Sequence, residues 1–277
     1  MSKFELKVVD KSEGITSFSS LSSIKRENRG EKVGHAGTLD KFASGLMLVM
    51  IGNATKLNPI FSSFGKRYIA TIKFGEETDT LDPEGEVIAT SDIPQYDEVK
   101  RSTDSFIGAQ KQTPPIYSAL PDDGKRAYIE ARKGHVVEMP ERDIYIEHIE
   151  LLSYENGVGV IDAIVSKGTY IRSLARDIAK KINKRAHLIA LRRIELGPFN
   201  LEDVNSSSFE LLDKTDLFSK VCLDSYYKKE IDNGYINNKA VLSDSNRDKA
   251  YCYLYFDENL YGIGEKKDNK YKVISRF

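Results

Sequence analysis

The chain has 277 residues, 40% of them hydrophobic and 30% charged, with a formal net charge of −1. These values suit a soluble globular protein with one sizeable core and room for a second small domain. They exclude a disordered chain, a collagen and a disulfide scaffold.

Residues 1–14 are polar and charged, so they do not read as a secretory signal. The most apolar run, residues 46–51, is far short of the ~20 residues needed to cross a bilayer. Cys222 and Cys252 lie far apart with no second pair to make a zinc site, and read as free thiols in a reducing cytoplasm. Charge is segregated. Acids crowd residues 76–104 and 202–216. Bases crowd Lys25 to Lys32, then Lys125, Arg126, Arg132 and Lys133, then the acid-free stretch from Lys180 to Arg193 that includes Lys184, Arg185 and Arg192. If the three segments meet, they make a basic face on a neutral protein; apart, they are solvated surface.

Residues 6–9 read as a strand and 10–14 as a turn, with a helix from about Ser17. A glycine-bearing loop, residues 34–40, follows, and then the short apolar segment 44–51 bracketed by Gly45 and Gly52. Residues 68–74 alternate, as a two-faced strand does, and 79–85 are rich in turn residues. Pro114 and Pro115 stop helix formation. Residues 158–167 alternate again. Gly168 then opens a helix whose apolar positions, Ile171, Leu174, Ala175, Ile178, Ala179 and Ile182, fall on one face. A strand-like stretch, 187–196, closes at Gly197-Pro198. Beyond Asp216 the texture changes to short tyrosine-rich stretches, with a strand pair at 250–256 and 260–264; a domain boundary is placed near Phe218.

The loop Gly34-His-Ala-Gly-Thr-Leu-Asp40 is the strongest chemical signal. Its two glycines let backbone approach a ligand, with His35 and Asp40 in reach of the same pocket. Taken alone, Asp40 could equally cap a helix, and His35 could be a hydrogen-bonded loop residue. Followed by Ala43-Ser44-Gly45, however, the string closely resembles the catalytic loop of the TruB family, enzymes that isomerise uridine 55 in the T loop of tRNA. Four further strings resemble family motifs in the same order: Lys66-Arg67-Tyr68 with Gly75 to Gly85, Gln112 to Ala119 with Gly124 to Gly134, Ser166 to Arg172 with Asp177, and Ala186-His187 with Leu191-Arg-Arg193. Ile263-Gly264-Glu265 and Ser275-Arg276-Phe277 resemble, more loosely, the end of a PUA-like RNA-binding domain.

The resemblance implies an α+β pseudouridine synthase fold, with a long mixed, largely antiparallel sheet and a central cleft over residues 1–217. It implies a small β-rich PUA-like domain over 218–277. It implies Asp40 as catalytic carboxylate, with Tyr68 and Arg172 beside it. Gly37, Tyr170, Leu191 and His35 would bind substrate, His35 by entering the space left by a flipped base. Lys11, Lys125, Arg126, Arg132, Lys184, Arg185, Arg192 and Arg193 would face RNA phosphates, which position RNA without reading it. The partner is the T arm of tRNA, the chain acting as a monomer with no membrane, metal or small-molecule cofactor.

The chemistry fits the residue types. Pseudouridine formation breaks the bond from ribose to N1 of uracil, rotates the base and rebonds it through C5, with no redox change or group donor. An ionised Asp is the minimum equipment, and an unperturbed Asp titrates near ~4. A closed pocket raises that value; Arg172 lowers it, unless it pairs with Asp177 or Glu195 instead. Turning the uridine out costs roughly a few kcal/mol, and stacking on Tyr68 would return ~1–3 kcal/mol.

Three positions depart from the family pattern: Lys41 and Ser12 stand where proline is usual, and Pro121 where lysine is common. Losing proline raises loop entropy by about 0.4–1 kcal/mol without dictating a new geometry. Two other readings stand beside this one: an RNA-binding or RNA-folding protein without catalysis, and a related synthase acting on another RNA, including one guided by partner proteins.

Overall fold

The computed structural model describes residues 3–116, 139–267 and 270–276. Its centre is a nine-stranded sheet. From one edge to the other the main strands are Phe4–Lys11, Ser44–Gly52, Ala186–Leu196, Lys66–Phe74, Val158–Val165, Arg142–Glu155 and Gly108–Gln112. Only the contact between Ser44–Gly52 and Ala186–Leu196 is parallel; all others in this sheet are antiparallel. The expected mixed, largely antiparallel sheet is therefore present.

Two cores explain the sequence patterns. Met47, Val49 and Ile51 face one side with Leu21, Ile24, Val99 and the apolar stripe of helix Ile171–Lys181. Leu46, Leu48 and Met50 face the other with Leu6, Val8, Phe61, Phe199 and Leu211. A strand buried on both faces needs a continuous apolar run, not an alternating one. The helix expected from Ser17 is two short helices, Ser17–Ser20 and Ser22–Glu27, meeting at Leu21.

Phe218–Leu223 is the first strand of a second, six-stranded sheet, which includes Tyr251–Phe256, Asn259–Lys267 and Lys270–Arg276. It has its own core of Val221, Leu223, Ile231, Cys252 and Leu254. Phe218 and Ile263, with half-buried Tyr251, Tyr253 and Ile274, join the second core of the main sheet, so the two sheets share one apolar contact. Both cysteines are free thiols. Among the described residues, no helix is long and apolar enough to cross a membrane.

Candidate active site

The site sits where three adjacent strands, Ser44–Gly52, Ala186–Leu196 and Lys66–Phe74, meet the segment carrying Asp40. That segment is tied down along its length. Ala36 N–H donates to the Leu48 carbonyl at 2.9 Å. Ser17 Oγ both accepts from Leu39 N–H at 2.9 Å and donates to the Leu39 carbonyl at 2.8 Å. Gly14 N–H donates to the Lys41 carbonyl at 2.9 Å. Gly37 has φ +89°, and an added Cβ would stand 3.3 Å from Arg193 Nη1. Gly45 has φ +105°, and there a Cβ would fall 2.2 Å from the Arg193 carbonyl oxygen, across the parallel strand contact.

Asp40, Tyr68, Tyr170, Arg172, Leu191 and Gly37 line one cavity of about 300 Å³, together with Lys66 and Arg193. Tyr68 is 8% exposed, pairs in register with Arg193, and its hydroxyl makes no hydrogen bond among the described residues. Leu191 comes from the next strand, opposite Ala70. Tyr170 precedes helix Ile171–Lys181, and Gln112 holds its backbone at both ends: Tyr170 N–H donates to Oε1 at 2.8 Å, and Nε2 donates to the Tyr170 carbonyl at 3.1 Å.

Arg172 is buried and grips two carboxylates at once. Its Nε lies 3.0 Å from Asp40 Oδ2 and its Nη2 donates to Asp40 Oδ1 at 3.3 Å. Its Nη1 lies 3.0 Å from Asp82 Oδ2 and also donates to the Thr80 carbonyl at 3.0 Å. The other candidate partners are engaged elsewhere: Asp177 with Arg176, Glu195 with Arg67. Burial pushes the Asp40 carboxyl above its ordinary range, outweighing the pull of Arg172; Asp82 and Glu84 push the same way, and Lys11 opposes them. With the Asp40 side chain 40% exposed, water still reaches the carboxylate.

Asp82 is what sequence reasoning missed. It appears there only as part of a motif, with no role. Its Oδ1 accepts from Thr80 Oγ1 at 2.6 Å and from Glu84 N–H at 3.0 Å, which aims Oδ2 at Arg172. Lys66 is the second omission. It is 8% exposed, its ammonium donates to the carbonyls of Ser62 at 2.9 Å and Phe64 at 2.6 Å, and burial lowers its pKa to about 8.

The expected RNA contacts are placed differently from one another, and Lys11 needs correction. Lys11 is 1% exposed and donates to the carbonyls of Ser12, Ile15 and Lys41, at 3.0, 2.7 and 3.4 Å. It braces the turn under Asp40 and offers nothing to a phosphate. Arg193 is also 1% exposed, donating from Nε to the Leu46 carbonyl at 2.7 Å and from Nη2 to the Gly37 carbonyl at 3.1 Å. It is a cavity wall, not an outer surface. Lys184 pairs with Asp92, Arg185 with Glu77 and Arg192 with Asp10, so each cation already holds a carboxylate. Lys41 pairs with Glu84 at 3.3 Å and so does not compete with Arg172 for Asp40. His35 pairs with Val49 at a strand edge and is not among the cavity-lining residues; burial, then the Arg193 charge, lowers its pKa. Lys125, Arg126, Arg132 and Pro121 lie outside the described residues. Among the described residues, no group of three or more His, Cys, Asp or Glu is placed to hold a metal.

Residues 25–171 match the model of the TruB family pseudouridylate synthase N-terminal domain. The chain is 41% identical over 233 residues to tRNA pseudouridine synthase B of Borreliella burgdorferi, covering 83% of this chain and 82% of that one. It is 40% identical over 265 residues to tRNA pseudouridine synthase B of Treponema denticola, covering 84% and 74%. Among solved structures, a Cbf5–Nop10–Gar1 complex matches with a TM-score of 0.67 at 21% identity, over 99% of this chain and 84% of that chain. An H/ACA RNP bound to a substrate RNA containing 2'-deoxyuridine matches with a TM-score of 0.63 at 22% identity, over 95% and 78%. At these identities the structural likeness speaks for the fold alone.

Proposed function

This chain belongs to the TruB family of pseudouridylate synthases, and from that premise we propose that it makes pseudouridine at position 55, in the T loop of tRNA, with Asp40 as the catalytic carboxylate. The reaction class is isomerisation of uridine to pseudouridine in tRNA.

One observation carries the assignment to Asp40. It is a carboxylate lining a cavity that also holds an aromatic ring, Tyr68, whose hydroxyl has no partner among the described residues, and an apolar wall, Leu191. Arg172 fixes its orientation by contacting both oxygens. An extruded uridine entering this space stacks on Tyr68, packs on Leu191 and brings its glycosidic bond to the carboxylate. Two-point contact with a guanidinium sets the direction of the attacking oxygen as well as its charge. Tyr170 and Gly37 shape the mouth, and His35, one strand away, would fill the gap in the RNA stack. Arg185 and Arg192, about half-exposed, can exchange a carboxylate for a phosphate at the rim. The second sheet would act as a PUA-like RNA contact, and a monomer in the cytoplasm is the working unit.

The experiment is pseudouridine formation on a T-arm transcript with no added cofactor, by wild type and Asp40→Asn. Wild type should convert the T-loop uridine. Asp40→Asn should not, while binding the RNA within several fold, because shape is kept and charge removed. Turnover near wild type in the variant would end the assignment; modification of another uridine would end the site reading.

A further inference from the structure

We propose that Lys66 and Arg193 form a phosphate subsite inside the cavity, receiving a backbone phosphodiester that flanks the target uridine. This rests on the reading that the cavity takes an extruded nucleotide.

Lys66 and Arg193 are 8% and 1% exposed, and neither has a carboxylate partner among the described residues. Their hydrogen bonds go to backbone carbonyls, which satisfy N–H groups but bring no net charge. A buried cation without a counter-charge is costly, and structures normally pair it. Lys11 makes a useful contrast. It too is buried among carbonyls, but the charges of Asp40 and Glu13 act on it. Among the described residues, the charges that act on Lys66 are those of Arg193 and Lys167, both positive.

The two cations are also close together and open to the cavity. The Gly37 Cβ position lies 3.3 Å from Arg193 Nη1 and 3.8 Å from Lys66 Cε, so both groups crowd under one loop glycine. Arg193 uses Nε and Nη2 for its carbonyl contacts; Nη1 has no partner among the described residues. Both residues line the cavity, as do Ser62 and Gly168. The cavity lining therefore carries cations that no acid among the described residues pairs. Arg172 is held by Asp40 and Asp82, whereas Lys66 and Arg193 have no carboxylate partner among the described residues. A uracil is neutral and cannot answer that charge. A phosphodiester is a monoanion with two free oxygens, which suits a guanidinium edge and an ammonium together. At about 300 Å³ the cavity is at the small end for ligand sites, of a size for one nucleotide. Anchoring the phosphate at Lys66 and Arg193 would fix how far the sugar reaches toward Asp40.

The test uses T-arm RNAs carrying a neutral methylphosphonate at the linkage 5′ or 3′ of the target uridine, one at a time. For wild type, one of the two replacements should weaken binding about tenfold. Lys66→Met should weaken binding of unmodified RNA about tenfold and lose no more than about twofold again on the modified RNA. A full further tenfold loss in Lys66→Met, or no loss at either linkage in wild type, would overturn the subsite. Should Lys66→Met fold poorly, wild type alone decides. Affinity for unmodified RNA should fall as pH rises above about 8, where Lys66 loses its proton, and affinity for the sensitive methylphosphonate RNA should stay flat; parallel pH profiles would refute it. Isomerisation of unmodified RNA by wild type reports separately on the function. If pseudouridine forms and neither linkage couples to Lys66, only the phosphate subsite fails.

Discussion

Replacing Asp82 by Asn isolates what the second carboxylate does for Arg172. Asp82 is 4% exposed, so it contributes nothing to the RNA-facing surface. Its two oxygens have different jobs. Oδ1 accepts from Thr80 Oγ1 and from Glu84 N–H, and Oδ2 accepts from Arg172 Nη1 at 3.0 Å. An amide has one acceptor oxygen. The Glu84 backbone donor cannot rotate, so it keeps that oxygen and the new NH₂ faces Arg172. Donor meets donor, and a charge-assisted hydrogen bond worth about 1.5–3 kcal/mol is lost. Arg172 then keeps its contacts with Asp40 and the Thr80 carbonyl but loses the carboxylate that braces its Nη1 edge. If about 2 kcal/mol of this is felt in the transition state, the rate falls about 30-fold. The assay is single-turnover pseudouridine formation at saturating tRNA, with RNA affinity measured in parallel. Affinity should stay within about threefold. A rate within twofold of wild type, or a loss confined to affinity, would refute the claim that Asp82 positions Arg172 for chemistry.

Two further outcomes follow from the same geometry. Burial raises the Asp40 pKa, and the reaction needs the carboxylate, so the rate should climb with pH through a value above the ordinary 3.8 of an Asp. Because the Arg172 charge lowers that pKa, Arg172→Met should move the acid limb of the single-turnover pH profile upward; an unmoved limb would detach the profile from Asp40. Gly45→Ala places a Cβ 2.2 Å from the Arg193 carbonyl at a φ of +105°. Backbone must move on both strands, so thermal denaturation should show a loss of at least about 2 kcal/mol, whereas Gly14→Ala, where an added Cβ meets nothing within 4 Å, should cost only its left-handed strain of about 1 kcal/mol.

Much of the fold was legible in local pattern. The alternation from Tyr68 to Phe74 and the 3.6-residue spacing from Ile171 to Ile182 both correspond to real elements. Strand Arg142–Glu155 and helix Tyr96–Asp104 were not anticipated. The strand buries Ile144 and Ile146, then Ile149 and Leu151, so a register shift breaks the period of two midway. The helix buries only Val99, Ser102 and Thr103, too little apolar surface to announce itself.

By itself the sequence determined the strings that carry the family chemistry, and hence the cluster of Asp40, Tyr68, Arg172 and Leu191. Tertiary structure alone decided what the charges do. Adjacent Arg192 and Arg193 look alike in sequence, yet one side chain is 41% exposed beside Asp10 and the other residue is 1% exposed in the cavity wall. Successive residues of a strand point to opposite faces, and what covers each face comes from distant parts of the chain. One partner of Arg172 is fixed in the same way: Asp82 stands ninety positions before it, and only the tertiary fold brings the two together.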